Sequence, residues 1–156
     1  MKTYIINPDT NKPVSIEDWR KDEDPTRAEI LLIETDNYKL LMRKSYLPGE
    51  HTFDEAQQAC ATFHPEGMDG ITFRCPTRKE CIDIYDARYI GGLDEAIKLI
   101  GGDYATRGRY HWTLEKDADP NYAGYAWFSL GYFGFMSLGN MFNTNLALPV
   151  ALLSTL

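Results

Sequence analysis

This chain of 156 residues has few cysteines and no excess of basic over acidic residues. Sixteen Lys and Arg stand against 23 Asp and Glu, which gives a net charge of −7. Nucleic-acid-binding domains usually carry a clustered basic face, so we expect no nucleic-acid partner. The three cysteines, Cys60, Cys75 and Cys81, are an odd number in a chain that we expect to be intracellular, and we therefore expect buried, reduced thiols.

Long apolar runs are missing as well. The first eight residues hold one Lys and a very short apolar stretch, whereas a secretory signal needs an apolar region of about 7–15 residues. We expect no signal peptide and a cytoplasmic or virion-associated location. No charged side chain occurs from 120 to 156, but Gly, Ser and Asn interrupt every apolar run there. A spanning helix needs roughly 18–20 nearly continuous apolar residues, so membrane insertion is not expected.

Recognisable catalytic motifs are also lacking. The three histidines, His51, His64 and His111, lie in no pattern that pairs a base with a Ser or Cys nucleophile. No C-x-x-C or H-x-x-x-H spacing is present for zinc, and no glycine-rich loop matches a nucleotide cradle. We expect neither an enzyme nor a cofactor.

The length fits a single domain over 1–156. Within it, residues 1–28 are polar, and we predict an N-terminal extension with a strand at 3–6 and Trp19 folded back onto the body. Two apolar runs, 29–35 and 38–43, flank Asp36-Asn37. Asp and Asn tolerate the positive φ of tight turns, so the pattern predicts a hairpin.

Three helices are predicted in the middle of the chain. Two begin at capping boxes, Thr52 with Glu55 and Thr77 with Glu80, in which each side chain satisfies a backbone amide of the other residue. The third covers 93–100 and ends at Gly101-Gly102 as a left-handed cap. Three- and four-residue spacing predicts the inward residues of the first two helices: Phe53, Ala56, Cys60 and Phe63, then Cys81, Ile84 and Tyr85.

Period-two alternation follows beyond residue 102. It predicts strands at 125–130, 133–136 and 146–152, with Pro149 marking an edge or a bulge. The order of elements predicts an α+β fold in which two main helices pack on small antiparallel sheets and the N- and C-terminal strands are adjacent.

Several segments resemble bacterial and phage domains of unknown function with a C-type-lectin-like fold. Those domains carry a T-W-x-E-A-x-x-x-C helix and a W-R-L-P-T-x-x-E corner, which segments 52–60 and 73–80 match with Phe73 for Trp and Cys75 for Leu. Segments 110–113 and 126–128 resemble the family's W-S-S and A-W-x strands. Segment 148–150 is similar to its closing R-P-V, with Leu148 in place of Arg. The resemblance covers 29–153 and implies a C-type-lectin-like body there.

The resemblance implies an architecture that hosts sugar binders, receptor-binding phage proteins, display proteins and formylglycine-generating oxidases. The oxidases need a late cysteine pair, and no cysteine follows Cys81. In relatives the late strands and loops form the ligand-facing surface. The candidate ligand- or partner-binding residues are therefore aromatic and methionine residues of this region together with one asparagine: Tyr122, Tyr125, Trp127, Tyr132, Phe133, Phe135, Met141, Phe142 and Asn143.

The leading functional hypothesis is a non-enzymatic ligand- or protein-binding or display module, of a kind that phages or prophages encode. One alternative is a structural homo-oligomerisation protein that uses the uncharged C-terminal segment. The other is a calcium-dependent carbohydrate binder, whose oxygen ligands would come from one acidic loop: Glu115, Asp117, Asp119 and Asn121. A solvated acidic turn is the favoured interpretation of that loop, so no metal is expected.

Overall fold

The computed structural model describes residues 1–104, 110–116, 122–129, 132–140 and 144–153, with the backbone alone for 116, 122–129 and 132–140. The strands are β1 Lys2–Ile6, β2 Pro13–Ser15, β3 Ile30–Glu34, β4 Lys39–Arg43, β5 Tyr110–Lys116, β6 Tyr122–Ser129, β7 Tyr132–Asn140 and β8 Val150–Leu153. The helices are α1 Ile16–Trp19, a 3-10 turn at Pro25–Arg27, α2 Phe53–Thr62, α3 Arg78–Ile90 and α4 Leu93–Ile100. The predicted α+β class is confirmed.

Five strands form one antiparallel sheet in the order β2-β1-β3-β4-β8, and three form a second in the order β5-β6-β7. The predicted hairpin is β3–β4, with Ile30 opposite Arg43 and Glu34 opposite Lys39. The prediction that the N- and C-terminal strands are adjacent is wrong. β1 and β8 share a sheet, but the hairpin lies between them because both of its long apolar strands take central positions.

Alternation along β3 divides the core between the two faces of the larger sheet. Leu31 and Ile33 lie in the cluster that α3 and α4 cover, whereas Ile30 and Leu32 lie in a second cluster with Met68 and Phe73. Both faces of this sheet are therefore buried. The apolar runs in β3 and β4 follow from that burial, since a strand covered on both faces needs no polar positions.

The segment predicted as an N-terminal extension, residues 1–28, contributes β1 and β2 to the larger sheet. Thr3 pairs with Ile33 in β3, and Ile5 pairs with both Leu31 and Val14. The fold-back of Trp19 is confirmed: the residue is 3% exposed, and its Nε1 donates to the Pro25 carbonyl at 3.0 Å.

The predicted helix termini are confirmed by their hydrogen bonds. Thr52 and Glu55 form a complete capping box at the start of α2, and Thr77 and Glu80 form one at the start of α3. α4 ends at Gly101, which has a φ of 77°. The inward stripes are confirmed for Phe53, Ala56 and Cys60 and for Cys81 and Ile84, whereas Phe63 and Tyr85 are only half-buried.

The last strand is shorter than predicted. β8 begins at Val150, because Leu146 and Asn145 pair instead with β5 and with His51 through isolated bridges. Pro149 precedes the strand, and β8 lies at the edge of its sheet as the proline predicted. No helix in the described parts of the chain has the length and apolarity to span a membrane.

Candidate functional site

The predicted binding residues belong to the second sheet, which is tied to the rest of the protein through β5. Trp112 is fully buried, its ring meets that of Phe53 edge-on at 5.7 Å, and its Nε1 donates to the His51 carbonyl at 2.8 Å. The outer edge of β5 is also closed. Trp112 N donates to the Leu146 carbonyl at 3.1 Å, and Leu114 N donates to the Pro76 carbonyl at 2.8 Å.

His111 lies on the opposite face of β5 and is buried as well. Its ring centroid is 5.9 Å from that of Tyr46 and 6.0 Å from that of Tyr104, and all three residues are at most 5% exposed. Burial lowers the pKa of His111 to about 4, although a hydrogen-bonding contact with the Trp112 carbonyl partly opposes this. The imidazole is therefore neutral at physiological pH, which suits a core residue better than a general acid.

The register of the second sheet separates the predicted binding residues into two groups. Tyr125 pairs with Met136, and Trp127 pairs with Gly134. Residues that are directly opposite share a face, so Tyr125, Trp127 and Tyr132 belong to one face. Phe133 and Phe135 belong to the other. The aromatic set is thus not one continuous surface.

The other predicted binding residues have different positions. Tyr122 begins β6 and pairs with Asn140, at the far end of β7. Met141, Phe142 and Asn143 lie outside the described residues. β7 is the outermost strand of the sheet. Across the described ranges, no strand or bridge pairs with it on the side away from β6.

The acidic loop is represented in the structure only by its first residue. Both carboxylate oxygens of Glu115 accept from the backbone amide of Arg78, at 3.0 and 3.2 Å. Glu115 therefore caps the N-terminus of α3, where a negative charge is stabilised by the helix dipole. Asp117, Asp119 and Asn121 lie outside the described residues. Among residues that are described, no group of three or more His, Cys, Asp or Glu side chains could hold a metal ion.

The corner before α3 is held by a charged pair that the sequence analysis missed. Arg74 forms two hydrogen bonds with Glu80, and this pairing raises the pKa of the arginine. The arginine backbone also exchanges two hydrogen bonds of 2.8 Å with Val150 of β8. The sequence of the corner motif could have predicted this pair, since the cap glutamate lies six residues after an arginine.

Three exposed apolar side chains on α3 were also missed. Ile82, Tyr89 and Ile90 are 42%, 54% and 74% exposed. They lie outside the inward stripe of Cys81 and Ile84, and this position could have predicted their exposure.

One cavity lies elsewhere, between the β1–β2 connection and the loop that follows α2. It has a volume of about 230 Å³ and is lined in part by Arg27, Glu29 and Met68. Sites for small molecules usually occupy about 300–1,000 Å³. Arg27 is already paired with Asp22 and Asp9, at 3.0 Å each. The cavity does not offer a free cation to a ligand.

No protein-family model matches this chain, and no curated protein or solved structure matches it significantly.

Proposed function

We propose that this chain is a non-enzymatic binding module in which the edge of β7 accepts an extended segment of a protein partner. Strand addition supplies affinity through main-chain hydrogen bonds and specificity through alternate side chains. The single observation that carries the proposal is the position of β7 at the outside of the β5-β6-β7 sheet.

The other sheet edges support this choice, because each is short or already occupied. β2 has three residues and begins with Pro13. β8 follows Pro149 and exchanges hydrogen bonds with Arg74. β5 is bonded to Leu146 on its outer side. β7, by contrast, has nine residues, with no charge and no proline in its sequence.

Natural proteins usually protect edge strands by shortness, charge, proline or a covering segment. The sequence of β7, Tyr132–Asn140, contains neither a charge nor a proline. Within the described ranges no strand or bridge pairs with this edge, and edges that stay open are costly in solubility because they promote aggregation. A binding role gives a reason for that cost.

The finer fold assignment is part of the same proposal: the body is C-type-lectin-like. Two capped helices precede a late antiparallel sheet, in the order the resemblance requires. Leu148 replaces the family's arginine and is fully buried in the main core cluster. The terminal segment is thus held by apolar packing together with the Arg74–Val150 hydrogen bonds.

The proposal is tested by placing a charge on the β7 edge. A library of displayed random peptides is selected on the wild-type protein, and the enriched peptides are measured against Ser137→Lys. The matched control is Ser129→Lys, in the central strand β6. We expect peptides with alternating apolar residues that bind wild type and control, and at least tenfold weaker binding to Ser137→Lys. Equal binding to all three proteins, or no enrichment, would contradict the proposal.

Homo-oligomerisation is the second candidate, because two copies of an uncharged strand bring no like charges together. Light scattering at high concentration separates the two functions. A dimer that Ser137→Lys dissociates and Ser129→Lys does not would favour self-pairing. If wild type and both variants are monomers, self-pairing is excluded and partner binding is favoured.

The calcium-dependent carbohydrate binder is the least supported candidate, because the Glu115 carboxylate is engaged by α3. A ligand that binds only the folded state raises the melting temperature. Because we expect no calcium binding, we expect millimolar calcium to change the melting temperature by less than about 1 °C. A larger rise that a chelator reverses would favour this candidate instead.

A further inference from the structure

Two of the three cysteines meet inside the protein. Cys60 lies in α2 and Cys75 lies in the corner before α3, and their sulfur atoms are 3.6 Å apart. Both residues are fully buried. They belong to one apolar cluster with Phe53 and Trp112, which fixes α2 against the corner and β5.

Cys81 provides an internal comparison. It is equally buried, and it lies only six positions after Cys75, on α3. It makes no sulfur–sulfur contact of this kind. The juxtaposition therefore belongs to the Cys60–Cys75 pair and is not a general consequence of buried thiols.

We propose that Cys60 and Cys75 are a site of oxidative modification, at which hydrogen peroxide or another small hydroperoxide converts the two thiols to a disulfide. One sulfur attacks the peroxide, breaks the O–O bond and becomes a sulfenic acid, with release of water or an alcohol. The second thiol then attacks that sulfur, forms the S–S bond and releases water. In total two thiols lose two electrons and two protons. One organic hydroperoxide is reduced to one alcohol and one water, and hydrogen peroxide is reduced to two waters.

The geometry needs little adjustment. A disulfide has a sulfur–sulfur bond of about 2.05 Å, so the two atoms must approach by roughly 1.5 Å. Cys60 lies in the last turn of α2, which ends at Thr62. Helix ends move more easily than helix centres, and the side chain of Cys60 can rotate with that turn.

Burial determines which oxidant can act and how fast. A hydroperoxide adds a single oxygen atom at the intermediate stage, whereas a peptide disulfide would have to place a bulky group inside the cluster. The close contact with Cys75, together with desolvation by burial, raises the pKa of Cys60. Because the thiolate is the reacting form, we expect oxidation to be slower than at an exposed cysteine.

The experiment uses the full chain and exploits its trypsin sites. Cleavage after Lys and Arg puts Cys60, Cys75 and Cys81 in separate peptides, 45–74, 75–78 and 80–88. The folded protein is treated with hydrogen peroxide, its remaining thiols are alkylated after unfolding, and the peptides are identified by mass. We expect peptides 45–74 and 75–78 to be joined, with a mass lower by two hydrogens, and Cys81 to be alkylated.

Variants make the result specific. Cys81→Ala should form the same linked peptide, whereas Cys75→Ala should form none. Three alkylated cysteines, sulfinic or sulfonic acids at Cys60 and Cys75, or a link that includes Cys81 would overturn the proposal. The same holds if the oxidised protein melts more than about 5 °C below the reduced one, since a disulfide closed in the native geometry constrains the unfolded chain and stabilises the fold.

Discussion

Arg74 holds both carboxylate oxygens of Glu80, with Nη1–Oε1 at 2.7 Å and Nη2–Oε2 at 2.8 Å. The same Oε1 atom accepts from the Thr77 backbone amide at 2.9 Å. One buried carboxylate therefore serves as the cap of α3 and as the partner of the arginine that bonds to β8. This relationship joins the middle of the chain to its end.

Glu80→Gln tests the charged half of that relationship. Glutamine still fits the capping box, but it leaves the half-buried guanidinium without its counter-charge. Breaking a fully buried pair costs about 3–5 kcal/mol, and the partial exposure of Arg74 reduces this. We expect a loss of about 2 kcal/mol in the free energy of unfolding, measured by urea titration.

Glu55→Gln is the matched control for this change. Glu55 occupies the same position in the cap of α2, but it is exposed. The control should lose much less stability than Glu80→Gln does, because Glu55 is exposed and surface substitutions usually have small effects. Equal losses in the two variants would mean that the Arg74 pairing contributes nothing beyond the cap.

Glu115→Ala tests the contact between β5 and α3. It removes the acceptor of the Arg78 amide and a negative charge at a helix N-terminus. Losses of this kind are typically about 1 kcal/mol, and we expect that decrease in unfolding free energy. Glu115→Gln should lose less, since its amide oxygen still accepts. A decrease no larger than that of Glu66→Ala, an exposed acid in the loop after α2, would contradict the capping role.

Local features of the fold were predictable from sequence. Each capping box needs two residues three positions apart, and the β3–β4 hairpin needs a short polar turn between apolar runs. These signals lie within a few residues of the structure they specify. The order of the strands has no such local signal, because insertion of the hairpin between β1 and β8 depends on burial of both sheet faces.

Contacts between distant segments were missed for the same reason. Glu115 and the Arg78 amide are 37 positions apart, and no periodic pattern connects them. The register also places Tyr125 and Phe135 of the candidate binding set on different faces of the sheet. Composition alone could not predict the register, and the register decides which residues of β6 and β7 share a face.

Gly102 is a position where close approach requires glycine. A Cβ atom there would lie 2.4 Å from the Lys44 carbonyl oxygen and 3.0 Å from Ile97 Cγ2. Because backbone cannot yield as a flexible side chain does, we expect Gly102→Ala to cost about 2 kcal/mol by overpacking. Gly70→Ala is the control, since nothing lies within 4 Å of its Cβ position. A thermal melt in which both variants lose the same stability would refute this role.

His111 predicts how stability depends on pH. Burial lowers its folded-state pKa from 6.5 to about 4, so below pH 6.5 the unfolded chain binds the proton more readily than the folded protein does. Stability from this residue is therefore fully present above pH 6.5 and is lost as the pH falls toward 4. Linkage gives a loss of roughly 2 kcal/mol between pH 7 and pH 5.

The measurement compares wild type with His111→Asn by urea titration at pH 7 and at pH 5. Carboxylates titrate in both proteins and cancel in the difference, so only the imidazole contributes to it. We expect wild type to lose about 2 kcal/mol more than the variant between the two values, whatever the variant's stability at pH 7. Equal losses would mean that His111 takes up its proton in the folded state as easily as in the unfolded chain, which is incompatible with an imidazole enclosed by Tyr46 and Tyr104.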